Sequence, residues 1–347
     1  GGWWDIELRA SYPHYYDNTT YFVDYLYLNN TPPVVENFSV TPSTEGWGRT
    51  FTYKADVADE QWDNVTCRLW ISTDNGNTWE LKGEEIIWWG YGTCEINVSD
   101  FDCADIGTDN YYRFEIDDGT NRFNTTIVQG PNITEDDVAV WYIHGNGTIV
   151  DRYGNAYVKL IFLVTDLDRD NVTISGANAT FWITTDHASY YRQPMVQSNE
   201  SGYVTYNFDP GCDPRYEPGI QYWKAGITDG CYVDVNLTET YTLTVMGNLF
   251  PALEYIYKSG LPTGPPVNLT KGEEDLKADV HLVDDCNVDI TGADVNLTWI
   301  SEYGNTYTCN ITDSGSGIYT CTLNTSGMRA RWYNVSMNAS LPPYYHD

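Results

Sequence analysis

Short stretches in which apolar and polar residues alternate run the length of the chain. Phe51-Thr-Tyr-Lys-Ala-Asp-Val57 and Tyr241-Thr-Leu-Thr-Val245 each put their apolar side chains on one face at a period of two. No long run carries the three-to-four-residue apolar spacing of a helix. Strand-favouring residues abound, among them 29 tyrosines and 13 tryptophans. The pattern predicts an all-β chain.

Three segments share one design, an apolar run that breaks at Asp, Asn or Gly turn residues and resumes with an aromatic, as hairpins do. They are Trp70-Ile-Ser-Thr-Asp-Asn-Gly-Asn-Thr-Trp79, Trp182-Ile-Thr-Thr-Asp-His-Ala-Ser-Tyr-Tyr191 and Trp299-Ile-Ser-Glu-Tyr-Gly-Asn-Thr-Tyr-Thr308, spaced by 112 and 117 residues. Upstream of them stand Asp63-Asn-Val-Thr-Cys67, Asp170-Asn-Val-Thr-Ile174 and Cys286-Asn-Val-Asp-Ile290. A shared order at a domain-sized period predicts three copies of one module, and 347 residues hold about three of roughly 100 each. The expected boundaries are 32–130, 131–246 and 247–347.

The first 31 residues read as the end of a module. Trp3–Tyr16 lines up with Trp332–Tyr345, and Tyr21–Leu28 reads as a closing strand with no complete module before it. Module three, in turn, stops at Asp347 before its own closing strand. Either the chain is a window of a longer tandem array, or residues 1–31 form a strand-exchange arm that completes an open module of the next subunit. An unclosed sandwich leaves an edge and half its core exposed, so it needs a partner.

The net charge of −31 argues against nucleic acid, which is held by clustered Lys and Arg, and favours a soluble, acidic, cation-attracting surface. No apolar stretch approaches the roughly 18 residues of a membrane span. The chain opens on Gly-Gly-Trp-Trp rather than a signal peptide, so a leader has been removed or this is part of something longer.

Asparagine carries the strongest compartment signal. Eighteen of 28 asparagines lie in Asn-x-Ser/Thr sequons, where composition alone gives about four. These are Asn18, Asn29, Asn37, Asn64, Asn97, Asn124, Asn132, Asn146, Asn171, Asn178, Asn199, Asn236, Asn268, Asn296, Asn310, Asn324, Asn334 and Asn338. They predict N-linked glycans on an extracellular surface.

The segments Val288-Asp-Ile-Thr-Gly-Ala-Asp-Val-Asn-Leu-Thr298, Gly317-Ile-Tyr-Thr-Cys-Thr-Leu-Asn-Thr325 and Tyr333-Asn-Val-Ser-Met-Asn-Ala339 resemble the tandem immunoglobulin-like domains of archaeal and bacterial cell-surface proteins. That group includes surface-layer, adhesin-stalk and extracellular-filament proteins, and the resemblance covers about residues 32–341. It implies tandem immunoglobulin-like β-sandwiches. The Cys…Trp…Cys spacing of antibody domains does not occur.

Eight cysteines in such a chain suggest disulfides. Cys309 and Cys321 flank a turn symmetrically, and Cys94 with Cys103 and Cys212 with Cys231 are local pairs. Cys67 and Cys286 then remain, to bond across modules or subunits or to stay as thiols. Asp166, Asp168 and Asp170 place three carboxylates on one loop, which suits Ca²⁺ with its preference for oxygen. The plainer reading is an Asp-rich turn capping its own backbone.

Ser72–Trp79 resembles the Asp-box of sialidase-type propellers, a structural turn that recurs here at sandwich rather than blade spacing. Trp88-Trp89-Gly-Tyr91 and Trp3-Trp4 suit module contacts or stacking on sugars, and interfaces are rich in aromatics. The five histidines are scattered, with no HExxH motif, nucleophile elbow or phosphate loop, although a glycosidase carboxylate pair could hide among the 49 acidic residues.

The resulting expectation is a non-enzymatic structural protein of the cell exterior. It would be a subunit or repeat segment of a glycosylated filament, sheath or surface layer, archaeal in type, that pairs with copies of itself. The alternative is an adhesin stalk that binds a glycan or a surface.

Overall fold

The computed structural model describes every residue except Gly1, Glu273 and Asp347, and only the backbone of Gly2, Trp3 and Tyr25. It is nearly all β, with immunoglobulin-like sandwiches in tandem. The chain divides into two compact units. Unit 1 holds Gly1–Ala139, Thr165–Val172 and Asp229–Val233; unit 2 holds Val140–Val164, Thr173–Thr228 and Asp234–Asp347.

Unit 1 begins with a free-standing antiparallel hairpin of β1 (Gly2–Ala10) and β2 (Asn18–Leu28). Its sandwich follows, with β3 (Val34–Thr41), β4 (Thr44–Gly46), β5 (Phe51–Ala58), β6 (Val65–Ser72), β7 (Glu80–Ile87), β8 (Tyr91–Val98), β9 (Tyr111–Asp117), β10 (Arg122–Asn124), β11 (Val128–Gln129) and β12 (Asn132–Thr134). One sheet is ordered β3-β5-β8. The other is β10-β9-β6-β7, with β11 also on β9. Strict alternation fixes the register, because a slip of one residue would turn every apolar side chain to water. In β5 every second residue is buried, from Phe51 to Val57, and in β9 the buried set is Tyr112, Phe114 and Ile116. Their rings interlock, Tyr53 lying 5.1 Å from Tyr112, in the edge-on geometry that aromatic pairs favour.

The next sandwich uses β13 (Val138–His144), β14 (Thr148–Asp151), β15 (Val158–Asp166), β16 (Asn178–Thr184), β17 (Tyr190–Arg192), β18 (Val196–Gln197), β19 (Tyr203–Phe208), β20 (Gly219–Asp229), β21 (Tyr232–Asn236) and the first half of β22 (Tyr241–Lys258). Its sheets are β13-β15-β19 and β17-β16-β20-β22, around Phe162, Phe181 and Trp223.

The last sandwich takes the second half of β22 with β23 (Leu261–Thr263), β24 (Leu276–Asp284), β25 (Asp294–Ser301), β26 (Thr306–Thr308), β27 (Asn310–Asp313), β28 (Ile318–Leu323), β29 (Tyr333–Ser340) and β30 (Tyr345–His346). Sheet β22-β24-β28-β27 faces sheet β26-β25-β29.

The boundary expected between residues 246 and 247 falls inside one unbroken strand of 18 residues. Residues 241–245 of β22 pair with β20, and residues 249–257 pair with β24. Alternating burial continues through Gly247 and Asn248 to Leu249, so the strand runs on across the transition. Pro251 is tolerated because only β24 pairs with β22 at that position, leaving the other side without a ladder to break.

All three tryptophan segments are hairpins, β6–β7, β16–β17 and β25–β26. Ser72 and Asp74 organise the first turn. Asp74 accepts from the Thr78 amide and hydroxyl and from Ser72 Oγ, which together hold its carboxyl down at about 2.

Candidate functional site: an open sheet edge

In the first two sandwiches the strand preceding the closing strand is covered. β10 and β11 lie on β9, and β22 lies on β20 from Gly219↔Val245 to Trp223↔Tyr241. The counterpart in the last sandwich is β29. It pairs with β25 over its whole length, Asp294↔Ser340 to Ser301↔Tyr333, and among the described residues nothing pairs with its other edge.

Burial records the difference. The inward residues of β9 are fully buried, whereas Tyr333, Val335 and Met337 of β29 are only half-buried. Beside them lies a groove of about 900 Å³ floored by Leu253, Ile256, Leu276, Trp299, Met328 and Val335. Lys271, Arg329 and Arg331 stand on its rim, three cations from a chain that has only 18. The site is an unpaired strand edge beside an apolar groove.

The hairpin at the other end of the chain has the complementary character. Among its described side chains none is fully buried. Trp4, Leu8, Tyr21, Val23, Leu26 and Leu28 are all exposed, and Trp3 lies outside the described side chains. By sequence β1 is the counterpart of β29, so β2 already pairs with a strand of the β29 kind.

The cysteines pair differently from the local reading. Cys309 is bonded to Cys321, but Cys103 is bonded to Cys231 and Cys212 to Cys286. The pairs Cys94–Cys103 and Cys212–Cys231 do not form, and Cys286 does not meet Cys67. Cys94 lies inside a strand and points into the core with Cys67, so neither reaches a surface turn; both remain buried thiols. The hydrogen bond with Cys67, then burial, push the Cys94 thiol up. Cys231 and Cys286 sit in turns, Cys103 opens a short 3-10 helix and Cys212 lies in an isolated bridge, all between strands, where partners are set by packing rather than by distance along the chain.

In unit 2 the bond Cys212–Cys286 lies beside a buried ion cluster. Arg152 donates to Asp285 through Nε (2.8 Å), to Asp284 and Asp285 through Nη2 (both 2.7 Å), and to the Tyr216 carbonyl through Nη1 (2.7 Å). The side chains of Arg152 and Asp284 are wholly out of solvent.

The loop carboxylates have distinct duties. Asp166 Oδ1 accepts from the amides of Asp168 and Arg169, and Asp59 and Asp284 cap the equivalent turns in the same way. Asp170 is exposed. Asp168 comes together with Asp136 and Asp137, from a segment the loop spacing gave no reason to inspect.

Of the 18 sequon asparagines 16 are exposed and Asn132 and Asn178 half-exposed, while Asn110, outside any sequon, is buried. Trp88, Trp89 and Tyr91 stand out into solvent together with Trp62. Trp89 is fixed by its amide bond to Asn64 Oδ1, and a side chain at Gly90 would strike Asp59 and the Asp63 carbonyl.

No protein-family model matches the chain, and no curated protein matches it. Among solved structures it is similar to a tetra-tandem repeat from the extending region of a large adhesion protein, at 13% identity and a TM-score of 0.40, over 97% of this chain and 80% of that one. It is similar to invasin, a bacterial integrin-binding protein, at 12% identity and a TM-score of 0.36, over 88% of this chain and 56% of that one. A 1.5-MDa bacterial ice-binding adhesin, described for host cell surface retention, matches at 15% identity and a TM-score of 0.26, over 90% of this chain and 97% of that one.

Proposed function

We propose that the chain is a non-enzymatic structural segment of a glycosylated extracellular filament, sheath or surface layer, joined end to end by strand complementation. The observation that carries this reading is the open edge of β29 with its apolar groove. The occupant is β2 of a second copy. It pairs with the sequence counterpart of β29, its apolar residues are exposed, and its one charged residue, Asp24, suits a groove rimmed by Lys271, Arg329 and Arg331. Added strands gain affinity from main-chain hydrogen bonds and specificity from side-chain pockets. Glycans on the exposed sequons and the charge of −31 would keep such an assembly hydrated.

The test is to add a synthetic peptide of residues 18–28 to the full chain and follow amide exchange of residues 333–340. Slowed exchange there, with native mass spectrometry showing chain-to-chain oligomers that the peptide dissolves, is the expected result. Unchanged exchange on β29 and a monomer at every concentration would refute it.

The exposed group Trp62, Trp88, Trp89 and Tyr91 favours a second reading, an adhesin stalk that stacks sugar rings. A glycan-array signal lost on Trp88→Ala and Trp89→Ala would move the assignment there.

A further inference from the structure

Unit 1 contains a carboxylate with no adequate partner. Asp136 is entirely buried, and neither side-chain oxygen has a hydrogen bond of normal geometry: its nearest donors are the Gly48 amide and Arg169 Nη2, the latter 3.8 Å away. It is wedged into a cradle that only glycine permits: a Cβ at Gly48 would lie 2.2 Å from its Oδ2, and one at Gly46 2.6 Å from its Oδ1. A buried carboxylate in this state has lost its hydration without a full replacement from the protein.

Two further carboxylates converge on it. One oxygen each of Asp136, Asp137 and Asp168 lies within 4.8 Å of the others, close enough for the three to share one ion, and an all-oxygen set suits Ca²⁺.

The charges around the cluster leave room for a divalent ion. Four carboxylates, Asp136, Asp137, Asp166 and Asp168, face two guanidiniums. Arg49 is bonded to Asp168, and Arg169 lies 3.2 Å from Asp166 and 3.8 Å from Asp136. The surplus is two negative charges. Arg169 is itself held against the Trp47 ring at 5.0 Å, so it cannot swing further to neutralise Asp136 without losing that contact. A polar hollow of about 420 Å³ lined by Gly48, Arg49, Thr50, Ser99, Asp168 and Arg169 adjoins the group and gives water, the usual remaining ligand of such an ion, a way in.

We propose that Asp136, Asp137 and Asp168 bind one Ca²⁺. The ion supplies the partner that Asp136 lacks and ties the Thr165–Val172 loop to the Glu135–Asp137 segment. Asp166 is spent on its own turn and Asp170 plays no part.

The experiment is calorimetric titration of the full chain, freed of metal with EDTA, with Ca²⁺ alone and with Mg²⁺ alone, alongside thermal melts. One Ca²⁺ per chain is expected, bound more tightly than Mg²⁺ and raising the melting temperature. Asp137→Asn, which alters an exposed side chain, and Asp168→Asn should each weaken Ca²⁺ by at least about tenfold, the loss typical of damage to a metal's ligand shell. Asp170→Asn should leave it within twofold. Weak binding of many ions, untouched by Asp137→Asn and Asp168→Asn, would mean diffuse attraction to an acidic surface and overturn the assignment. Loss of binding on Asp170→Asn would overturn the ligand set.

Discussion

Replacing Arg152 with alanine isolates the largest single electrostatic commitment in unit 2. The guanidinium makes three bonds to Asp284 and Asp285 and one to a carbonyl, all between 2.7 and 2.8 Å. Removing it leaves Asp285 with the Asn248 amide, and leaves Asp284 the Cys286 and Val288 amides on Oδ1 and Arg215, 3.2 Å away, on Oδ2. Breaking a buried ion pair by deleting one partner costs about 3–5 kcal/mol, because the other charge stays buried without compensation. The residual Arg215 contact places the expected loss near the lower end, about 3 kcal/mol.

The pH dependence identifies the cause. Burial alone would raise the Asp285 pKa, but the Arg152 bonds and the Asn248 amide outweigh it and the net shift is downward. A depressed carboxylate contributes stability that is fully present above its unfolded value, about 3.9, and is lost as pH falls through the folded value. Wild type should therefore lose stability as pH drops below about 4. In Arg152→Ala the Asp285 carboxylate loses the bonds that hold it down, so the gap between the two proteins should close in acid. Urea unfolding at pH 7 and at pH 3, read by amide exchange in β24, measures both. A gap under 1 kcal/mol at pH 7, or one unchanged at pH 3, would refute the reasoning.

Two further outcomes follow from the cysteines. Cys212→Ser with Cys286→Ser opens a loop closed by a bond spanning 74 residues, and the chain-entropy relation puts the loss at about 4 kcal/mol, measurable by urea unfolding of unit 2. Cys67 and Cys94 should resist a thiol reagent in the native protein and react together, as two thiols per chain, once it is unfolded without reductant.

The strands were legible in the sequence because alternation in stretches such as Phe51–Val57 leaves one register that buries the apolar face. The hairpins were legible because their turns are local chemistry: Asp74, Gly76 and Thr78 lie within five residues of one another. The likeness of Trp3–Tyr16 to Trp332–Tyr345 could be read directly, and the structure gives both segments a strand, β1 and β29. The place where β22 changes partner, between Val245 and Leu249, lies at the expected boundary, but that one unbroken strand serves both sandwiches was not legible, since its alternation continues across it. Disulfide partners and the Asp136–Asp137–Asp168 group were hidden for one physical reason. Turns remote along the chain meet through packing, and spacing along a loop records only neighbours such as Cys309 and Cys321.

The three aspartate turns show how one local solution acquires different energetics. Asp59, Asp166 and Asp284 each use Oδ1 to cap two amides of the turn that follows, a role asparagine fills equally well. Their second oxygens diverge. Asp59 Oδ2 is buried with no hydrogen-bond partner, whereas Asp284 Oδ2 meets Arg152 at 2.7 Å and Arg215 at 3.2 Å. Substitution by asparagine keeps the cap and removes only the charge. Asp59→Asn then exchanges an unpaired buried charge for an unpaired amide, and stability should stay within about 1 kcal/mol of wild type or rise. Asp284→Asn takes a carboxylate from a buried arginine and should cost about 3 kcal/mol. Equal losses in urea unfolding of the two variants would mean that the cap, not the second oxygen, sets the cost.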